Sequence, residues 1–223
     1  MLEIRRADDR FVTDHGDGVV SRHSFSFGVH YDPGNIGFGQ LVCHNDDTLQ
    51  PHAGYPDHPH RDLEIVTWVL EGELHHRDSA GASGVVRAGQ AQHVSAGSGV
   101  LHQEYAGDGV TRFVQMWVRP DEPGLAPSYA QADVPEGEGW VPIAGDTDAL
   151  LRTRSSRAAL RAARLLPGDE AVLESAPFVH VYVCAGRVTL PDGQALDAGD
   201  VVRVVDDGLT LTGEGQLLAW VMR

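Results

Sequence analysis

Short runs of apolar residues, broken at short intervals by turn residues, dominate the chain. The clearest are residues 64–70 (EIVTWVL), 112–118 (RFVQMWV), 179–184 (VHVYVC) and 216–221 (QLLAWV). Val, Ile, Thr, Trp and Leu fill them, a composition that fits a pleated surface. Turn signals stand between them: Glu71-Gly72, Ala88-Gly89, Pro191-Asp192-Gly193 and Ala198-Gly199-Asp200. Many short strands at such spacing predict an all-β sandwich or barrel fold. One stretch dissents. Residues 156–166 (SRAALRAARLL) consist largely of strong helix formers. Tertiary context is expected to turn at least the end of this stretch into a strand.

The pattern also divides the chain. Residues 1–120 and 146–223 share a loose repeat. In the first, a strand ends at Glu71-Gly72, a second follows, and a turn at residues 87–90 leads to a third. In the second, the same order runs through Ala185-Gly186 and the turn at residues 197–200. Between them, residues 121–145 carry Pro123, Pro127, Pro135 and Pro142 with several glycines. That segment reads as a linker with at most a short helical turn. The expectation is a duplicated β-unit in two halves.

Composition narrows the chemistry. A chain of 223 residues, 42% hydrophobic and 22% charged, is long enough for a sizeable core. The formal net charge of −15 repels a phosphate backbone, so direct nucleic-acid binding is not expected. No apolar run approaches the roughly 20 residues that span a bilayer. The start, MLEIRR, has no apolar signal region. Cys43 and Cys184 lie far apart and form no C-x-x-C, which predicts buried free thiols in a reducing compartment. A cytoplasmic monomer with no membrane contact is therefore expected. All 17 basic residues are arginine. Without lysine there is no Schiff base and no Walker-A phosphate loop. Gly-rich dinucleotide and nucleophile-elbow motifs are also missing. Chemistry falls to His, Asp, Glu, Tyr, Cys or a metal.

Of the 12 histidines, seven lie between His52 and His102. His58-Pro59-His60 and His102-Gln103-Glu104 each set two metal-capable side chains at i and i+2. In a strand these point to one face. Two such strands side by side aim His58, His60, His102 and Glu104 at a common point. Pro59 lacks an N–H and belongs at a strand start or edge. Glu64 shares parity with His58 and His60 but lies roughly 13 Å along a straight strand. It is expected as a supporting or structural group. His52, His75, His76 and His93 are expected to be exposed or hydrogen-bonded rather than ligands. His75 and His76 are adjacent, so at most one faces inward. His180 is expected in an ordinary core or surface role. Three imidazoles and a carboxylate suit Fe(II), Mn, Ni, Cu or Zn. They leave coordination positions open for a substrate or O2.

Around these residues the chain resembles a pirin, a family of the cupin superfamily. The matching segments are Ser24-Phe25-Ser26-Phe27, Tyr31-Asp32-Pro33, Gly37-Phe38-Gly39 and Asn45-Asp46-Asp47. They continue with residues 56–65, Leu70-Glu71-Gly72, His76-Arg77-Asp78-Ser79 and residues 95–104. Together they span most of residues 20–120. The resemblance implies a bicupin of two β-sandwich barrels, with metal only in the N-terminal one. It implies the ligands His58, His60, His102 and Glu104, and iron as the usual metal. Cupins at large take their carboxylate from the position of Glu64, and often have proline where Ser95 stands. Pirins share both departures.

The function this resemblance implies is a quercetin 2,3-dioxygenase, opening a flavonol ring with O2 and releasing carbon monoxide. Glu104 would act as general base toward the flavonol hydroxyl. Phe25, Phe27 and Trp68 are expected to line the space for a flat phenolic substrate. The alternative is an iron-dependent regulatory protein acting through a protein partner, with flavonol cleavage a side activity. Another cupin reaction, on a small acid or by isomerisation, stays open beside these two.

Overall fold

A computed structural model describes residues 1–135, 137 and 139–223. Among the described residues there are seventeen strands, one 3-10 turn at Ala7–Asp9 between the first two of them, and no α-helix. The first are β1 (Leu2–Arg5), β2 (Phe11–Asp14), β3 (Val19–His23), β4 (Leu41–Leu49), β5 (Gly54–His60) and β6 (Glu64–Glu71). Next come β7 (Glu73–Asp78), β8 (Ser83–Arg87), β9 (Gln90–Ser95), β10 (Val100–Ala106), β11 (Thr111–Val118) and β12 (Ser128–Asp133). The last are β13 (Val141–Gly145), β14 (Leu151–Arg152), β15 (Ala158–Thr189), β16 (Ala195–Asp197) and β17 (Val201–Met222).

Three sheets result. A seven-stranded sheet runs β12-β9-β6-β11-β4-β3-β2, and a four-stranded sheet runs β5-β10-β7-β8. A six-stranded sheet is built on β1-β17-β15-β13-β14, with β16 beside β15. The first two close on each other through Leu49, Val69 and Phe113 on one side and Leu74, Val86 and Ala106 on the other.

Strand alternation explains why the seven-stranded sheet is apolar on both faces. Along β6, Ile65 and Val69 enter the core of the first half, whereas Val66 and Trp68 enter a core shared with the second half. Along β11, Phe113 and Trp117 face inward, while Val114, Met116 and Val118 face the second half. The second half mirrors this. Val179, Val181 and Val183 line its own core, and Tyr182 and Cys184 join the shared one. Leu217 and Ala219 point inward there, while Leu218, Trp220 and Met222 point to the first half. The two halves thus pack back to back. The Trp220 indole N–H lies 3.1 Å from the Met116 sulfur across the seam.

The helix-forming stretch is a strand from Ala158 onward. Leu160 and Ala162 serve the shared core and Ala163 and Leu165 the second core, so burial on two faces overrides propensity. Two expectations need correction. Residues 121–145 are more than a linker, and no helical turn is found among their described residues. β12 extends the sheet of the first half through β9, and β13 pairs with β15 in the second. Residues 2–5, placed with the first half from sequence, pair with β17 of the second. Apolar runs mark strands but carry no label for the sheet they join. Cys43 and Cys184 are buried free thiols, as expected. Among the described residues, no helix is long and apolar enough to cross a membrane.

Candidate metal centre

β5 is the outer strand of its sheet, and Pro59 sits on it, where a missing N–H is tolerated. Its neighbour β10 places His102 directly opposite His58. A register shift between His102 and Glu104 then sets Glu104 opposite Tyr55. Gly54 makes this close pairing workable, because a Cβ there would stand 2.1 Å from the Glu104 carbonyl oxygen. On β10, His102 and Glu104 are buried and Leu101 is exposed, the alternation expected of a half-buried strand.

Three imidazoles converge. Ring centroids of His58 and His102 are 4.3 Å apart, and His60 lies 4.9 Å from each of them. One ligand nitrogen from each falls within 4.8 Å of the other two. The His58 Nδ1 lies 2.8 Å from the Pro56 carbonyl oxygen. A carbonyl only accepts, so that nitrogen carries the proton and Nε2 keeps its lone pair. The Nε2 atoms of His60 and His102 are buried with no hydrogen-bond partner among the described residues. Burial, then the neighbouring imidazoles, push His60 down to about 4 and His102 down to about 3. Both are neutral near pH 7, the state in which imidazole binds a metal. Orphaned, inward-facing nitrogens of this kind fit a bound cation.

Glu104 is held differently. Its Oε1 accepts from the Gln92 amide at 2.6 Å and its Oε2 from the Gln115 amide at 2.8 Å. Gln115 in turn accepts the Trp117 indole N–H at 3.1 Å. Indole is a donor only, so it decides which end of the Gln115 amide faces Glu104. Tyr129 donates to Gln92 Oε1 at 3.2 Å. Burial, then the nearby Glu104, push the Tyr129 phenol up to about 12. Glu104 groups within 4.8 Å with His102 and His76, all three buried. The four residues picked by parity therefore do not meet at one point: together with His76 they fall into two overlapping clusters that share His102, with Glu104 in the one that lacks His58 and His60.

His76 is the residue sequence reasoning undervalued. His75 points outward, 3.1 Å from Glu73, and His76 points into the half-barrel. The signal was available in Leu74-x-His76, where a buried apolar residue marks the inner face. Thr67, Gln92 and Gln115 were missed as well. Thr67 and Gln115 are polar breaks among the apolar residues of β6 and β11, Gln92 lies on the mixed strand β9, and all three are buried. His52 and His75 are exposed, while His93 is buried and bonded to Glu64 at 2.8 Å.

Glu64 lies on the opposite face of β6 from the site. It also accepts from the Ser95 hydroxyl at 2.7 Å and the Arg154 backbone N–H at 2.9 Å. Burial alone would raise this carboxyl, but the bonds from His93, Ser95 and Arg154 hold it below its ordinary range. It ties the two halves together. The aromatic expectations also shift. Phe25 and Trp68 lie in the core shared between the halves, not at the imidazoles. Phe27 does stand near, its ring 5.4 Å from Trp117, which lies 4.8 Å from His60. Trp117, Tyr129 and Tyr55 are the aromatic neighbours of the site. The ring of Tyr55 is 6.1 Å from that of His58. His180 is in the core, but neither of its ring nitrogens has a partner among the described residues, so the satisfied role expected of it is not found.

Comparisons with known proteins agree with this architecture. The family model described as Pirin matches residues 5–118. A protein of Mycobacterium tuberculosis named putative quercetin 2,3-dioxygenase is 48% identical, over 99% of this chain and 95% of that protein. The protein of Escherichia coli K12 named quercetin 2,3-dioxygenase is 35% identical, over 93% of this chain and 91% of its own length. A crystal structure of the bacterial pirin YhhW from E. coli in complex with nickel(II) superposes with a TM-score of 0.92 at 31% identity. That match covers 100% of this chain and 99% of the other.

Proposed function

The chain belongs to the pirin family, and from that premise we propose that it is a metal-dependent dioxygenase cleaving a flavonol with O2. The observation that carries this reading is the cluster of His58, His60 and His102, with buried, unpartnered Nε2 atoms on His60 and His102. A divalent transition metal would be held by these three imidazoles, with Glu104 as the fourth ligand. Iron(II) is the first choice, and the same donor set accepts Mn, Ni, Cu or Zn. When bound, the metal acts as a Lewis acid that lowers the pKa of a coordinated phenol and brings O2 to it.

The remaining chemistry belongs to the chain. His58 and His60 are half-buried on the edge strand, which opens the site to a substrate from outside. Trp117 stands against His60 with Phe27 packed on it, and the two offer ring faces and edges to a planar phenol. Glu104 takes the phenolic proton or holds the metal. The amides of Gln92 and Gln115 fix the orientation of its carboxylate beside His102. The test is O2 uptake with quercetin and a panel of other phenols, using protein loaded with Fe(II). His60→Ala should lose both the metal and turnover. Full activity in protein stripped of metal would sink the proposal.

A further inference from the structure

The segment His76-Arg77-Asp78-Ser79 has no part in the function proposed above, yet two of its side chains stand directly behind His102. The Asp78 Oδ1 accepts backbone N–H groups from Ala80 at 2.9 Å and Ala82 at 3.0 Å. Its Oδ2 lies 3.2 Å from the Nε2 of His76. The His76 side chain is 0% exposed and that of Asp78 3%. A carboxylate fixed by two backbone donors can only accept, so the proton of this contact sits on His76 Nε2. The tautomer with its proton on Nε2 presents a lone pair at Nδ1. That nitrogen lies 3.5 Å from the Nδ1 of His102. One of the two must donate, and His102 is the one left to do so. Its own Nε2 is thereby stripped of a proton, and that is the buried, unpartnered atom beside His58 and His60. Tyr129 stacks on His76, with centroids 4.6 Å apart and rings 15° from parallel, and keeps the ring from turning.

The opposite proton arrangement has an opposite consequence. With the bond to His76 reversed, His102 would accept at Nδ1 and hold its proton on Nε2, where a metal must bind. The direction of this chain of hydrogen bonds therefore decides whether His102 is a ligand.

We propose that Asp78 and His76 are positioning residues. Through two successive hydrogen bonds they set His102 in its metal-binding tautomer and strengthen it as a donor, which tunes metal affinity and redox potential. The inference rests on the metal reading above. Outer partners of metal-bound histidine act in this way generally, and their loss costs about 10- to 100-fold in metal affinity.

Nitrogen-15 NMR of the metal-free protein should find the proton of His102 on Nδ1 and that of His76 on Nε2. Asp78→Asn, nearly isosteric, should weaken Fe(II) and Zn(II) binding by about 10- to 100-fold and raise the Fe(III)/Fe(II) potential. His76→Phe should do the same. His76→Gln offers an amide oxygen to His102 Nδ1 and should recover affinity relative to Phe. A proton on His102 Nε2 in the wild-type protein overturns the inference, whatever the variants do. So does unchanged affinity and potential in folded Asp78→Asn. If the wild-type protein binds no metal, the function proposed above falls and this inference with it. If His60→Ala abolishes binding while Asp78→Asn and His76→Phe leave it intact, only this inference falls.

Discussion

The two halves of the chain solve the same packing problem with different linings. Each presents one face of its central strands to the other half and one face to its own interior. In the second half that interior is apolar, with Val179, Val181, Val183, Leu217 and Ala219 packed together. In the first, Thr67, Gln92, His102, Glu104 and Gln115 interrupt the same alternation and are buried. An apolar lining needs no partners. A polar lining must have every donor and acceptor met, or leave some of them for a ligand. Glu104 and the two glutamines are satisfied among themselves, whereas nitrogens of His60 and His102 are not. The difference locates function: one architecture, used once as a container for chemistry and once as a solid support.

That contrast can be broken most sharply at its polar end. His102→Ala should abolish metal uptake, while His180→Phe in the second half should leave metal content unchanged, both read by elemental analysis of purified protein. Metal retained in His102→Ala would place the site elsewhere.

The next test concerns the seam between the halves. Trp220→Ala removes a buried ring from the shared core and should cost about 3–5 kcal/mol. Urea unfolding followed by fluorescence and circular dichroism should show one transition at lower urea. Two separated transitions would mean that the halves are independent.

A somewhat smaller loss is expected from Glu64→Ala, about 3 kcal/mol, because buried His93 and the Arg154 N–H lose their acceptor. Metal content should stay constant, since Glu64 faces away from the imidazoles. Loss of metal in this variant would restore Glu64 as a ligand.

The smallest effect is a pH dependence at the seam. His44 and His180 meet there with centroids 5.0 Å apart and rings tilted by 48°, and both are buried. Arg10 and Arg203 face them, with Tyr182 and Asp46 beside them. Burial, reinforced by these neighbouring charges, holds both imidazoles well below their ordinary range. The folded chain then stays unprotonated where the unfolded chain takes up protons. Stability is undiminished above about pH 6.5 and falls as pH drops below it, by up to about 1.4 kcal/mol per pH unit for each ring. Asp47 works the other way. Burial pushes it up to about 7, so between roughly pH 4 and 7 the folded chain keeps a proton the unfolded chain releases. That contribution weakens as pH rises. Urea titrations across this range should give the His44→Phe/His180→Phe variant a shallower acid-side decline than the wild type. His60 and His102 in metal-free protein keep the decline from vanishing. An unchanged slope would show that the pair is already protonated or hydrated in the folded chain.

Much of this organisation was legible before the fold was known. Runs such as residues 64–70 and 112–118 announced strands because they carry apolar side chains at both odd and even positions, as a sheet covered on both faces requires. The i, i+2 spacing of His58, His60, His102 and Glu104 announced two same-facing pairs because a strand has period two. The adjacency of His75 and His76 stated that only one points inward, but not which. That three particular residues converge on Glu104 was not legible. Gln92, Gln115 and His76 come from β9, β11 and β7, brought together by sheet pairing and packing that no local pattern encodes.

Period and residue type by themselves determined that this is an all-β chain with a histidine and carboxylate cluster in its first half. They also determined that lysine-dependent chemistry is closed to it. Only the tertiary structure decided that Glu64 braces the seam, that Trp68 faces the other half rather than a substrate, and that His76 stands behind His102. The physical reason is that alternation assigns a side chain to one of two faces. What each face meets is set by contacts between residues far apart along the chain.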